Sequence, residues 1–248
     1  MRSETVPSRA AATITGSRMT DPIRPERSRL RLWQLISPAL PIGAYAYSRG
    51  LEYAISARWV RDEADVAAWI EGQLTHVLGT LDIPIFARLY EAWGINGDHA
   101  ALEYWSRFLL AARESAELLA EDRYLGMALA RLLAELGIEE ARPWQKCKQT
   151  SFATLFALSV KHWDIDLREG AEAYAWVWCE HQVAAAVKLI PLGQTAGQRI
   201  LLNLAEVIPE VIGAGLDLTD DGEIGGVAPG LGIASALHEV QYSRLFRS

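Results

Sequence analysis

The stretch EADVAAWIEGQLTHVL, from Glu63 to Leu78, decides the fold class because its apolar residues recur at the spacing of a helix. Residues three or four positions apart lie on the same side of an α-helix, so a run with this spacing buries one face. Asp62 or Asp65 is suited to cap the first turn. The stretch therefore predicts an amphipathic helix that buries Val66, Trp69, Ile70, Leu74, Val77 and Leu78.

Helical spacing also dominates the rest of the chain from Leu30 onward. Asp82 and Pro84 predict the start of a second helix, which Gly94 would end. Pro209 is expected to break or kink the last long helix, because proline cannot donate a backbone hydrogen bond. The other helices are predicted from Asp98 to Ala112, Glu114 to Leu136, Ser151 to Trp163, Leu167 to Leu189 and Gln194 to Glu206.

No segment of the sequence alternates apolar and polar residues between turn residues, as a half-buried strand would. The sequence therefore predicts an all-α, single-domain, bundle-like fold of about ten helices over residues 30–248. Residues 1–29 are rich in Ser, Thr, Arg and Pro and predict a disordered N-terminal arm. A transit peptide is the alternative for this arm, and Met19 is an alternative start of the chain.

The amino-acid composition and net charge disfavour some classes of function. The 248 residues carry a net charge of −7 and are 50% hydrophobic, which is typical of a globular protein. An acidic chain lacks the positive field that holds nucleic acid, so no nucleic-acid partner is expected. The chain has two cysteines and no apolar run of about 18 residues, which predicts a cytoplasmic protein with no membrane partner.

No motif for catalysis or metal binding is found, so no catalytic residue and no metal ligand is predicted. Cys179 and His181 are two positions apart, and on a helix such residues point about 200° apart, which prevents them from sharing a metal. The glycine-rich residues 222–232 lack both a preceding strand and the GK[ST] of a phosphate loop. We interpret them as a flexible connector.

Two segments near the ends of the chain carry residue types that are frequent at protein interfaces. Ser37 to Glu52 contains two prolines, a glycine suited to a tight bend, and two tyrosines: Pro38, Pro41, Gly43, Tyr45 and Tyr47. His238 to Ser248 contains Tyr242, Arg244 and Arg247. A helix-connecting loop and a frayed final turn are the structural alternatives.

A third segment, Val187 to Ile200, has a helix stop and a new helix start. Lys188 lies at an apolar helix end, and Gln194 and Arg199 lie on the helix that follows. The structural alternative for Lys188 is a side chain that extends along the helix end to reach water.

Together the three segments resemble the UreF family of urease accessory proteins. The matching text is LWQLISPALPIGAYAYSRGLE (Leu32 to Glu52), AAVKLIPLGQTAGQRILL (Ala185 to Leu202) and HEVQYSRLFRS (His238 to Ser248). The family usually reads PIGGFSYSQGLE and HETQYSRLFRS, so the sequence departs from it at Ala44, Tyr45, Ala46, Arg49 and Val240.

The resemblance implies a non-catalytic adaptor that binds the accessory protein UreD (also called UreH) and recruits the GTPase UreG to apo-urease. Nickel would be the cargo of the assembly, with no tightly bound cofactor, and a homodimer is possible. The C-terminal tail, from about residue 233 to 248, is implied to become ordered against UreD. The implied partner-binding residues are Pro38, Pro41, Gly43, Tyr45, Tyr47, Ser48, Glu52, Lys188, Gln194, Arg199, Gln241, Tyr242, Arg244 and Arg247.

Two other classes of function stay open on the sequence alone. One is a helical enzyme whose site is assembled in space, since a catalytic triad need not show in the sequence. The other is a protein that binds nickel directly as a carrier or store.

Overall fold

The computed structural model describes residues 25–94 and 97–248, and over these residues the chain is all-α. The ten α-helices are α1 (Pro25–Leu35), α2 (Leu51–Ser56), α3 (Glu63–Gln73), α4 (Ile83–Ala92), α5 (His99–Ala111), α6 (Ala116–Glu135), α7 (Phe152–His162), α8 (Leu167–Leu189), α9 (Gln194–Asp217) and α10 (Pro229–His238). A π-helical segment, Leu74–Asp82, joins α3 to α4, and short 3-10 turns cover Ala44–Ala46, Glu139–Lys146 and Asp221–Glu223.

Side-chain caps begin several helices where the sequence predicted them. Asp62 accepts a hydrogen bond from the Asp65 backbone at the start of α3, and Asp98 accepts one from Ala101 at the start of α5. Ser115 and Ser151 cap α6 and α7 in the same way. Each cap satisfies one of the backbone N–H groups that a helix start leaves unpaired.

An α-helix begins directly after Asp82 with Pro84 in its first turn, as predicted, but it is not separated from the helix before it. The chain continues through the π-helical segment into α4, and the Asp82 side chain makes no cap. Pro84 has no N–H to donate to the carbonyl of Thr80, four residues earlier. The backbone of Gly225 donates to that carbonyl instead, at 3.1 Å, so the proline is accommodated without ending the helix.

The same hydrogen bond corrects the interpretation of residues 222–232 as a flexible connector. Gly225 is held by Thr80, and residues 229–232 belong to α10. A Cβ atom added at Gly226 would lie 2.3 Å from the carbonyl oxygen of His76. The glycine therefore allows this segment to press directly on the π-helical segment.

The predicted end of the last long helix at Glu206 is also wrong, because α9 runs through Pro209 to Asp217. The carbonyl of Ala205 lies four residues before Pro209 and receives no hydrogen bond from it, because proline has no N–H. Ala205 is exposed, so water can solvate that carbonyl. The carbonyl of Pro209 itself accepts a hydrogen bond from Arg168 at 2.9 Å. Beyond the proline, Val211 and Ile212 are buried and hold the second half of the helix on the core.

Two boundaries of the predicted domain differ in the structure. Helix α1 begins at Pro25, and the buried hydroxyl of Ser28 donates to the carbonyl of Trp163, so residues 25–29 of the predicted arm are helical. The remainder of the arm, residues 1–24, lies outside the described residues. The tail begins after His238, because residues 233–238 form part of α10.

A buried ionic group lies at the centre of the helix packing. The guanidinium of Arg113, between α5 and α6, contacts Asp82 at 2.7 Å and Asp122 at 2.6 Å, and its side chain is 3% exposed. The hydroxyl of Tyr174 on α8 donates to Asp82, and Asp122 accepts the backbone N–H of Phe152 on α7. Four structural elements therefore meet at one charge cluster.

We expect Arg113→Ala to lower the free energy of unfolding by about 3–5 kcal/mol, because it leaves two carboxylates buried without a counter-charge. Urea-induced unfolding of the purified chain measures this loss. Arg142→Ala is the matched control, since the ion pair of Arg142 with Glu139 is solvent-exposed on both sides. Similar midpoints for the two variants would contradict a central role for Arg113.

We expect Asp82 to contribute to the loss of folding stability at low pH. Burial alone would raise the pKa of Asp82, but the charge and hydrogen bonds of Arg113 outweigh it and hold this pKa below its usual 3.8. Because the folded pKa is depressed, the contribution of Asp82 is fully present above pH 4 and is lost as the pH falls through the folded value. Asp82→Asn should be less stable at pH 7 and should lose less stability than the unsubstituted chain between pH 4 and pH 3.

Candidate partner-binding surface

The last residues of the chain pack onto the predicted loop between α1 and α2. The backbone N–H of Ser48 donates to the carbonyl of Ser248 at 2.8 Å, and the Ser48 hydroxyl donates to the same oxygen. The backbone N–H of Arg247 donates to Ala46. Phe246 and Ser248 are buried. These residues of the tail are therefore held by their own chain, without the partner against which the resemblance implies that they become ordered.

Glu52 is the anchor of this arrangement. One carboxylate oxygen accepts the backbone N–H of Leu245 at 2.7 Å, and the other accepts that of Phe246 at 2.9 Å. Hydrogen bonds to an ionised acceptor are stronger than those between neutral groups. Since Glu52 is 8% exposed, it fixes the tail from inside the protein.

A buried histidine links Glu52 to a second carboxylate. The ring nitrogens of His238 lie 3.2 Å from Glu52 and 2.7 Å from Glu117 on α6. Glu117 also accepts a hydrogen bond from Arg244 at 2.8 Å. This network joins α2, α6, α10 and the tail, so its charged groups are satisfied within the chain.

Backbone geometry positions the loop for these contacts. Arg49 and Gly50 both adopt positive φ values, 52° and 75°, which let the chain turn into α2. A Cβ atom at Gly50 would lie 2.9 Å from the backbone nitrogen of Ser235, so the glycine permits close packing of α2 on α10. Gly43, with φ 78°, provides the tight bend that the sequence predicted.

We call residues 37–52 together with residues 239–248 the tail platform. Its outer surface exposes Tyr45, Val240, Tyr242 and Leu245. The ammonium of Lys188 lies 5.9 Å from the ring centre of Tyr45 and 5.7 Å from that of Phe246, within the range of cation–π attraction. A groove of about 320 Å³ next to the platform is lined by Pro38, Tyr45, Lys188 and Gln194, among others.

The structure divides the implied partner-binding residues into three groups by their exposure. Tyr47, Ser48 and Glu52 are buried beneath the tail, whereas Pro38, Pro41, Tyr45, Lys188, Gln194, Tyr242, Arg244 and Arg247 are exposed, and Gly43 and Gln241 are half-buried. Arg199 is exposed and pairs with Glu63 on α3 at 2.6 Å rather than with the tail. The hydrogen bond from Arg199 lowers the pKa of Glu63.

The sequence indicated Arg49 as a residue of this segment but did not indicate the α6 carboxylates, Glu117 and Glu121, that complete the anchor. Arg49 contacts Glu121 on α6 at 3.5 Å, and the Ser248 hydroxyl donates to the same carboxylate at 3.0 Å. Burial raises the pKa of Glu121. Glu117 and Glu121 share one face of α6 at a spacing of four, which was a readable signal, but the tail residues that they bind lie more than 120 positions away.

In the part of the chain that the structure describes, the histidines and cysteines form no shared site. Cys179 is buried, and burial raises the pKa of its thiol to about 12. Burial also lowers the pKa of His181 to about 4, so that imidazole is neutral at physiological pH. Over residues 25–94 and 97–248, no group of three or more His, Cys, Asp and Glu side chains is arranged to hold a metal ion. In the same part of the chain, no helix has the length and apolarity to cross a membrane.

Comparison with known proteins identifies the family. A sequence model of the UreF family matches residues 60–205, which is more than half of the chain. A urease accessory protein UreF from Alkalilimnicola ehrlichii is 55% identical over 230 residues, covering 93% of this chain and all of the relative. The chain belongs to the UreF family.

Two further relatives support the assignment to the UreF family. The urease accessory protein UreF of Hahella chejuensis is 45% identical over 224 residues, covering 90% of this chain and all of the relative. That of Pseudomonas putida is 48% identical over 219 residues, covering 88% of this chain and 97% of the relative. The resemblance that rested on three segments therefore extends over most of the chain.

The anchoring role of Glu52 predicts that Glu52→Gln loosens the tail. An amide has one acceptor oxygen, so its NH₂ group would face one of the two backbone N–H donors. Hydrogen bonds to charged groups contribute about 1.5–3 kcal/mol, so amide exchange at Leu245 and Phe246 should accelerate roughly 10- to 100-fold. Hydrogen exchange with mass spectrometry of peptides covering residues 241–248 measures this. Glu210→Gln, at an exposed position on α9, is the control and should leave the tail protected.

Proposed function

We propose that this chain acts as a non-catalytic adaptor in urease maturation. It binds UreD (UreH) and recruits the GTPase UreG to apo-urease, where nickel is inserted. Nickel is the cargo of this assembly and is not a tightly held cofactor of the chain. The observation that carries the proposal is an exposed apolar strip whose last residue, Leu245, is held by a hydrogen bond from its backbone to the buried Glu52.

The apolar strip runs along the exposed side of α10 and the tail. It consists of Ile233, Leu237, Val240, Tyr242 and Leu245, all of which expose more than a third of their surface. A cluster of large apolar side chains at the surface of a soluble protein is typical of a protein–protein contact. Tyr242 is fully exposed, and tyrosine is among the residues enriched at binding hot spots.

Pre-organisation strengthens the case for binding at this strip. A partner that binds a loose terminus must offset the entropy of ordering it, at about 0.5–1.5 kcal/mol for each immobilised side chain. Here Glu52 already holds the backbone N–H groups of Leu245, the last residue of the strip, and of Phe246, and Ser48 holds Ser248. We therefore propose that UreD binds an already formed surface.

The groove beside the tail platform is proposed as the UreG contact. Lys188 is exposed at its edge, and its charge is not neutralised by any carboxylate within ion-pair distance among the described residues. The Lys188 ammonium lies 5.7 Å from the ring centre of Phe246, which follows the last residue of the strip, so the two proposed contacts are near each other. A partner at the groove would be sensitive to the position of the tail.

Co-expression with tagged UreD tests the proposal. Tyr242→Ala should reduce the retained chain roughly 30-fold or more, because a hot-spot residue contributes about 2 kcal/mol or more to binding. The melting temperature should not change, since the Tyr242 ring is exposed. Tyr104→Ala is the matched control, because Tyr104 is half exposed on α5, outside the tail platform.

The same assay with UreG added separates the two contacts. Lys188→Ala should leave UreD bound and reduce the retained UreG. If the unsubstituted chain is not retained by UreD, the adaptor proposal is wrong. If retention survives both Tyr242→Ala and deletion of residues 239–248, the strip is not the UreD contact.

A further inference from the structure

A small polar cavity lies beneath the tail platform, between the loop that carries Arg49 and helices α6 and α8. Its volume is about 30 Å³. Ala44 and His181 line both this cavity and the larger groove, so they form the wall between the two. The cavity belongs neither to the apolar strip nor to the groove, and its lining is chemically different from both.

Three side chains that line the cavity each carry a buried polar atom with no hydrogen-bond partner among the described residues. They are Arg49 Nε, Trp178 Nε1 and Gln182 Oε1. Arg49 and Trp178 are 9% exposed, and Gln182 is 2% exposed, so bulk water does not reach these atoms. An unsatisfied buried polar group costs about 1–3 kcal/mol, and three around one small space call for a common ligand.

We propose that the cavity binds an ordered water molecule. This water accepts hydrogen bonds from Arg49 Nε–H and Trp178 Nε1–H and donates one to Gln182 Oε1. A buried water needs at least about 10–15 Å³ of space and two to four polar partners, and the cavity meets both conditions. Two donors and one acceptor match the three hydrogen bonds that a buried water typically makes.

The charges around the cavity favour a neutral ligand over an ion. Arg49 is paired with Glu121, and Arg113 is paired with Asp82 and Asp122, so no cationic side chain of the lining lacks a carboxylate. His181 is neutral because burial lowers its pKa to about 4. An anion would meet the carboxylates of Glu121 and Asp122, and a cation would meet two N–H donors.

The water would connect α8 to the anchor of the tail. It bridges Gln182 and Trp178 to Arg49, whose guanidinium contacts Glu121, and Glu121 accepts the hydroxyl of Ser248. Arg49 also lies over the ring of Trp178, 6.0 Å from its centre. The water therefore helps to position Arg49, which is the one non-glycine residue of this loop with a positive φ.

The substitution Gln182→Met tests the proposal through the sign of its effect. Methionine has a similar length and flexibility but offers no carbonyl acceptor. If the water is present, the variant removes one of its hydrogen bonds, and the melting temperature should fall by about 2–6 °C for a chain of this size. If the cavity is dry, the variant removes an unsatisfied oxygen, and the melting temperature should stay the same or rise.

Gln73→Met is the matched control. Gln73 is 4% exposed and also has a buried Oε1 without a partner, but it does not line this cavity. Its substitution removes the long hydrogen bond of 3.4 Å from the Gln73 Nε2 to the Trp69 carbonyl together with an unsatisfied oxygen, so the melting temperature should fall less than in Gln182→Met. A fall at Gln73 as large as that at Gln182 would overturn the proposal, because the loss would then come from replacing any buried glutamine.

A crystal structure that resolves ordered water, with a parallel bromide soak, gives a direct measurement on the full chain. Density within hydrogen-bonding distance of Arg49 Nε, Trp178 Nε1 and Gln182 Oε1, with no anomalous signal, supports the proposal. An empty cavity overturns it. An anomalous bromide peak at the same place also overturns it, because the site would then bind an anion.

Discussion

The buried guanidinium of Arg113 is the interaction on which the helix packing depends. Taking a charge out of water is so unfavourable that it is tolerated only when counter-charges and hydrogen bonds surround it. Asp82, Asp122 and Tyr174 come from the π-helical segment, α6 and α8, so these elements must meet for the charge to be satisfied. The apolar core could pack in several registers, since burial of apolar surface has no direction, but this cluster accepts one arrangement.

Helix α6 connects this charge cluster to the surface of the protein. Asp122 faces Arg113, while its neighbour Glu121 faces Arg49 and the tail. One turn earlier, Glu117 contacts His238 and Arg244. A single helix thus carries three carboxylates that connect the centre of the protein to its C-terminal segment. The position of the tail follows from the same packing that fixes the core.

Much of the fold follows from the sequence, and the exceptions share a physical cause. Apolar spacing and local caps such as Asp62 and Asp98 involve residues that are close along the chain, so they are readable. Pro84 indicated the start of a separate helix, and Pro209 indicated a break or kink, because the sequence does not show what lies beside a helix. In the structure, Gly225 supplies the hydrogen bond that the Pro84 site lacks, and solvent is available at the exposed Ala205. The order of the tail was unreadable for the same reason, since Glu52 lies almost 200 positions from Leu245 and Phe246.

The family motif points to a set of residues but does not separate two physical roles that they can have. An exposed residue such as Tyr242 can contact a partner directly, so its loss would act mainly on the lifetime of the complex. A buried residue such as Glu52 cannot reach a partner while the tail is in place, so it can influence binding only by fixing the surface that a partner meets. The size of this effect on binding is the free energy of ordering the tail. It can be measured on the isolated chain before any partner is added. The exposed residues of one sequence motif can therefore contact a partner, and the buried ones support the surface that the partner meets. Measurements on the isolated chain are enough to tell which of these two roles a residue has.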